Sequence, residues 1–149
     1  HTYQDTYNAA IDTDRGVKEK TRFYEVGGAV EVDRYLCQIA DVFFIVYDIN
    51  DPESFTGAQT LKYKLDEARG DREALFVLCG NKIDKHRVVD ASRVSHWCNV
   101  EKVMLCESTA SDREMICGIF SRIVSLVNQP QAKSGILGKR KSRTTVSLL

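Results

Sequence analysis

The sequence has no excess of either charge: 21 basic side chains balance 21 acidic ones over 149 residues. That removes any general electrostatic pull toward nucleic acid or an anionic membrane. No nucleic-acid partner is expected, and any partner must be recognised by shape and local chemistry. No apolar run is long enough to span a bilayer; the longest, Val42 to Tyr47, has the length of one buried strand. No C-x-x-C pair suggests zinc. The cysteines (Cys37, Cys79, Cys98, Cys106 and Cys117) are odd in number and widely spaced, which fits a reducing compartment better than a disulfide framework. A cytoplasmic location is expected. There is no internal repeat and no signal peptide, and the first residue is His1, so the expectation is an N-terminus that has been cut.

With 43% hydrophobic residues, the chain suits one domain with one core. Tyr7 to Asp12 and Val17 to Glu25 read as a strand pair joined by the polar turn Thr13-Asp14-Arg15-Gly16. After the Gly27-Gly28 break, a weakly helical stretch runs to about Ala40. Val42-Phe43-Phe44-Ile45-Val46-Tyr47 lacks alternation, as expected of a strand covered on both faces. Asp51-Pro52 opens a helix as cap and first helical residue, with Phe55, Ala58, Leu61, Leu65 and Ala68 as its apolar face.

Ala74 to Cys79 then reads as a strand, Ala91 to Cys98 as a helix and Val103 to Cys106 as a strand. Ser111-x-x-Glu114 reads as a capping box for a last helix with Met115, Ile116, Ile119, Phe120, Ile123 and Val127 on its face. Alternating strands and helices predict a mostly parallel, doubly wound sheet whose hairpin supplies one antiparallel edge strand. Residues 1–128 form the predicted domain. Residues 129–149, with Lys133, Lys139, Arg140, Lys141 and Arg143 among Ser, Thr and Gly, read as a basic tail expected to be disordered.

The strongest chemical signal is Gly80-Asn81-Lys82-Ile83-Asp84, directly after a buried strand, where open α/β sheets bind their ligands. An ionised Asp84 only accepts hydrogen bonds. Guanine offers two adjacent donors, its ring N–H and its amino group, whereas adenine presents a ring acceptor there. Sites built on such pairing discriminate by roughly 10⁴ or more. Asn81 can bridge base and loop, and the Lys82 stem can cover the ring face. Glu107-Ser108-Thr109-Ala110 follows the next strand, where a backbone N–H near Ala110 can reach the guanine carbonyl. Ser/Thr at a helix entry explains part of that segment equally well.

Thr2-x-x-Asp5-x-Tyr7, Phe23-Tyr24-Glu25-Val26-Gly27-Gly28, Phe43-Phe44-Ile45-Val46-Tyr47 with Asp51-x-x-Ser54-Phe55, Asn81-Lys82-Ile83-Asp84 and Glu107-Ser108-Thr109-Ala110 occur in this order. The series resembles the Ras-like small GTPases. The resemblance implies a P-loop GTPase fold binding GTP or GDP with Mg²⁺. It implies that Thr2 touches Mg²⁺ and the γ-phosphate, that Glu25 reaches Mg²⁺ through water, and that Gly28, Asn81, Lys82, Asp84, Thr109 and Ala110 contact nucleotide. Asp5 and Tyr7 are the implied partner-facing positions.

A narrower resemblance, to the atypical kappaB-Ras subfamily, rests on Thr13-Asp14-Arg15-Gly16-Val17, Arg22-Phe23-Tyr24, Arg87-Val88, His96-Trp97, Glu101-Lys102-Val103 and Gln129-Pro130-Gln131-x-Lys133-Ser134. It implies binding to NF-kappa-B inhibitor proteins and negative regulation of that pathway. A general switching GTPase of another pathway is the alternative. His96 and Trp97 are read as helix-face packing.

Three departures qualify the likeness. No Gly-x-x-x-x-Gly-Lys-Ser/Thr occurs, so the phosphate cradle is missing. The family places that loop between a central strand and a helix ahead of Thr2, a piece of roughly 30 residues; the first strand, phosphate loop and first helix are thus expected to be absent here, and the remainder to be only weakly stable. Glu25 stands where the family has Asp, which moves the carboxylate by about one C–C bond, more than 1 Å. Ala29 stands where a Gln orients the attacking water, so there is no catalytic side chain and hydrolysis is expected to be slow. The chain ends Ser147-Leu148-Leu149 without a cysteine box, so no lipid anchor is expected.

Overall fold

The computed structural model describes residues 4–27, 31, 33–129 and 144–149. Strands β1 (Gln4–Asp12) and β2 (Lys18–Val26) pair antiparallel, from Gln4 opposite Val26 to Asp12 opposite Lys18. Thr13 fixes the turn: its hydroxyl donates to the Val17 carbonyl at 2.8 Å, and Gly16 takes a φ of +69° that a side chain would resist. Helix α1 (Arg34–Ile39) starts on Asp33, whose carboxylate accepts from the Tyr35 N–H. Strand β3 (Val42–Asp48) follows, then helix α2 (Pro52–Arg69), capped by Asp51 with proline in its first turn, as the sequence predicts. Strand β4 (Leu75–Asn81), helix α3 (Ala91–Glu101), strand β5 (Met104–Glu107), helix α4 (Arg113–Val127) and strand β6 (Thr144–Leu148) complete the order.

The six strands lie in the order β1-β2-β6-β3-β4-β5, with β1 antiparallel at one edge and every other pairing parallel. This is the expected α/β architecture. Its central position is not taken by any segment expected to hold it. Residues 144–148, read from the sequence as the end of a disordered tail, form β6 between β2 and β3, with Phe23 opposite Val146 on one side and Val42 opposite Val146 on the other. The tail reading is corrected there: a polar, basic composition at 133–143 masked a short strand whose Val146 and Ser147 are fully buried. The basic residues Lys133, Lys139, Arg140, Lys141 and Arg143 lie outside the described residues.

One face of the sheet packs Phe43, Ile45, Tyr47, Phe76 and Leu78 against Cys37 of α1, Phe55, Ala58 and Leu65 of α2, and Val94 and Cys98 of α3. The other packs Phe23, Phe44, Val77, Cys79 and Val146 against Ile119, Phe120 and Ile123 of α4. With α4 the only described helix in that cluster, Val46 of β3 stays 43% exposed. The cap of α4 also differs from expectation. Asp112, not Ser111, accepts from the Met115 N–H at 3.0 Å, and the Ser111 hydroxyl pairs with Thr109 instead. A carboxylate is the stronger acceptor for helix N–H groups.

Lys62 was not predicted inside, yet its side chain is 8% exposed. Burial pulls its ammonium toward the neutral form, but the hydrogen bonds it donates to Asp66 and Glu101 outweigh that and raise its pKa. Burial likewise pushes Asp66 up, and Lys62 and Arg69 outweigh it to bring its pKa below 3.8. Lys62 meets Glu101 at 2.9 Å and stacks over Phe76. Asp66 therefore adds stability that is present above its unfolded value and lost as pH falls through its lower folded one; Lys62 adds stability present below 10.5 and lost as pH rises through its raised value. Lys62→Ala is expected to cost about 2 kcal/mol near neutrality. Urea titrations at several pH values should show that deficit shrinking only below the ordinary Asp range or above the ordinary Lys range.

Candidate functional site

The carboxyl ends of β4 and β5 carry the predicted base-side residues, and the loops that follow them are tied together. Gly80 lets β4 pass close under Tyr47: a Cβ there would meet the Tyr47 hydroxyl at 2.9 Å and Ile49 Cγ2 at 3.0 Å. Just beyond, Asn81 Oδ1 accepts from the Lys82 N–H at 2.8 Å, and Lys82 takes a φ of 66°. That left-handed turn is uncommon for a side chain with a Cβ, and strain of this kind is concentrated at binding sites. Lys85 N–H closes the turn on the Lys82 carbonyl at 2.8 Å.

Lys82 Nζ pairs with Asp48 at the end of β3 at 2.6 Å. The pair lowers the pKa of Asp48, chiefly through that hydrogen bond, and raises that of Lys82. Sequence reading passed over Asp48. The available signal was a carboxylate ending an apolar strand, six residues before Ser54, whose hydroxyl accepts from the Asp48 N–H at 2.9 Å. Asn50 adds a brace, donating from its amide to the His86 carbonyl at 2.8 Å.

The β4 and β5 loops meet at Asp84. Thr109 Oγ1 donates to Asp84 Oδ1 at 2.7 Å, Ile83 N–H to the Ser108 carbonyl at 3.3 Å, and Ser108 N–H to the Gly80 carbonyl at 2.9 Å. The Thr109 hydrogen bond is the main reason Asp84 is held below the ordinary carboxylate range. Asp84 is thus ionised at neutral pH, exposed, and fixed in direction by a neighbouring loop. A site for two adjacent donors needs that combination.

A cavity of about 320 Å³ opens on the α4 side of the sheet, walled by Glu25, Phe44, Val46, Cys79, Ile116 and Phe120 among others, with Asn81, Ser108 and Ala110 at the loop end. Asn81 and Ala110 therefore border the cavity, while Lys82 and Asp84 are exposed outside it. Glu25 is the penultimate residue of β2, opposite Asp5. Asp5 and Tyr7 are exposed on the edge strand, and the Tyr7 hydroxyl donates to Asp5 Oδ2 at 2.9 Å, a bond that raises the Tyr7 pKa. Thr2, Gly28 and Ala29 lie outside the described residues. Among the described residues no group of three or more His, Cys, Asp or Glu is placed to hold a metal ion, and no helix is long and apolar enough to cross a membrane.

Residues 30–129 match the family model for the Ras family. NF-kappa-B inhibitor-interacting Ras-like protein 1 of Homo sapiens is 38% identical over 148 residues, covering 95% of this chain and 77% of that protein. NF-kappa-B inhibitor-interacting Ras-like protein 2 of Homo sapiens is 36% identical over 152 residues, covering 99% of this chain and 80% of that protein. The Danio rerio protein 1 is 36% identical over 152 residues, covering 98% and 79%. The order of the motifs, the sheet that carries them and these relatives agree: this chain belongs to the Ras family, in its kappaB-Ras group.

Proposed function

We propose that this protein is a guanine-nucleotide-binding regulator that binds NF-kappa-B inhibitor proteins in the cytoplasm, damps NF-kappa-B signalling and hydrolyses GTP slowly. The observation that carries the nucleotide reading is the Thr109–Asp84 hydrogen bond of 2.7 Å, which orients an ionised, exposed carboxylate beside Asn81 and the β5 loop. The loops suit guanine: Asp84 accepts from the ring N–H and the amino group, the Lys82 stem covers one ring face, and Thr109 and Ala110 carry the backbone that approaches the carbonyl.

The phosphate end fits less well, since no Gly-x-x-x-x-Gly-Lys-Ser/Thr occurs in the 149 residues. When bound, Mg²⁺ neutralises charge on the phosphates; Thr2 and, through water, Glu25 are the side chains that would reach it. Glu25 is one methylene longer than the family's Asp, which weakens a water-mediated hold on Mg²⁺, and Ala29 has only a methyl group where a side chain would have to orient the attacking water. GTP then behaves more as a structural ligand than as a timer.

The names of the relatives support the partner class. The exposed Asp5–Tyr7 pair offers a surface toward it, and the basic sequence from Lys139 to Arg143 carries charge suited to an acidic segment. Immobilised full-length protein should capture an NF-kappa-B inhibitor at low salt and release it as salt rises. Alanine at Lys139, Arg140, Lys141 and Arg143 should weaken capture, and Tyr7→Ala should weaken it independently of the tail. No capture at low salt, or recovery of the protein with membranes, would overturn the reading.

A further inference from the structure

Strands β4 and β5 place two thiols side by side. Cys79 and Cys106 are direct partners in the parallel register, and Cys79 Sγ lies 3.2 Å from the Ser108 hydroxyl. Neighbouring strands sit about 4.8 Å apart, inside the window of roughly 4.4–6.8 Å between Cα atoms that a disulfide bridges. Direct partners project to the same face, and both cysteines belong to the α4-side cluster. Cys79 is 2% exposed but forms part of the cavity wall, and Cys106 is half-buried beside it. The cavity, about 320 Å³, is ample for a small reagent.

From this geometry we propose that Cys79 and Cys106 form a modification site: a cross-strand dithiol that a peroxide converts to a reversible disulfide. Cys79 has the Cys106 thiol beside it and the Ser108 hydroxyl at 3.2 Å, and both favour its ionised form and lower its pKa, so Cys79 is the member placed to attack. Elsewhere burial works against reaction, pushing Cys98 up to about 11 and, together with the Asp33 carboxylate, pushing Cys37 upward as well.

The Cys79 sulfur attacks one peroxide oxygen and the O–O bond breaks, giving a sulfenic acid and one water. The Cys106 sulfur then attacks Cys79 Sγ and the S–O bond breaks. Hydroxide leaves, and with the Cys106 proton it becomes a second water. Two electrons pass from the thiols to one peroxide; a thiol reductant such as glutathione reverses the step. Cys79 precedes Asn81 by two residues and Cys106 precedes Ser108 by two, so the link braces the roots of the two loops that meet at Asp84. The chemistry stands on the strand register and does not rest on the nucleotide reading.

The test is hydrogen peroxide treatment of the folded protein, blocking of remaining thiols with N-ethylmaleimide, and non-reducing peptide mapping after trypsin. Cleavage after Lys82, Lys102 and Arg113 puts Cys79, Cys98 and Cys106 on separate peptides. The expected product joins the peptides Glu73–Lys82 and Val103–Arg113 at about 2 Da below their sum. It should disappear on reduction and be lost in both Cys79→Ala and Cys106→Ala, while the wild-type map alone decides the point should either variant fail to fold. Oxidation confined to Cys117, or a Cys79 sulfinic acid with Cys106 still alkylated, would overturn the proposal.

Discussion

Deleting Thr144 to Leu149 is expected to remove most of the stability of this domain. β6 is short but central. Asp41 N–H donates to the Thr145 carbonyl at 2.8 Å, Leu149 N–H to the Phe44 carbonyl at 2.9 Å and Val46 N–H to the Leu149 carbonyl at 2.8 Å, beside the ladder to β2. Val146 is fully buried between Phe23 and Val42. The deletion would open two interior strand edges and expose both faces of the central core. Each lost ladder bond is worth about 1 kcal/mol net, against a typical domain stability of about 5–15 kcal/mol.

Graded variants separate packing from pairing. Val146→Ala should cost about 2 kcal/mol, and Val146→Asp about 4 kcal/mol or more, since it buries a carboxylate in an apolar slot. Ser147→Ala should be neutral or stabilise by about 1 kcal/mol, because the buried Ser147 hydroxyl finds no partner among the described residues. Urea midpoints measure all of these, and a deletion with an unchanged midpoint would show that β6 is not part of the folded sheet. A peptide of residues 144–149 added in trans should restore part of the loss. A chain supplied with a strand, Gly-rich loop and helix ahead of Thr2 should release β6, seen as new protease cleavage at residues 144–149.

Asp84→Asn in the full-length protein should weaken GTP binding by about 10² or more and turn the preference toward xanthosine triphosphate. The carboxylate accepts from two guanine donors. An amide presents one donor in place of an acceptor, which leaves guanine donor-to-donor and suits the ring carbonyl of xanthine. The geometry allows a clean exchange: Thr109 Oγ1 can donate to the amide oxygen as it does to Asp84 Oδ1 at 2.7 Å, so the loops need not move. Competition between the two nucleotides by calorimetry reads the switch. A variant that still prefers GTP would show that Asp84 does not face the base.

Much of the site was legible in the sequence because its parts are local. Asn81-Lys82-Ile83-Asp84 is a turn after an apolar strand, and a turn keeps its own geometry: the Asn81 side chain, the left-handed Lys82 and the Lys85 N–H all close within five residues. The Asp51-Pro52 helix start was legible for the same reason. The α4 cap was misread by one residue, since Ser111 and Asp112 both fit a cap by type and only the competing Thr109 hydroxyl separates them. Lys62 was missed because a charged residue enters a core when acids from other turns surround it. Glu101, its partner at 2.9 Å, lies on a different helix.

By itself, then, the sequence determined the order of strands and helices from β1 to α4, the parallel character of the sheet, the Asn81-Lys82-Ile83-Asp84 turn and the family. Those depend on period, turn chemistry and short motifs, which neighbouring residues specify. Only the tertiary structure decided that Thr144–Leu148 fills the centre of the sheet, that Lys82 pairs with Asp48, and that Cys79 stands beside Cys106. Partnership between parallel strands is set by which edges remain open once everything else has packed. A segment of five residues carries no local mark of the edges it will join.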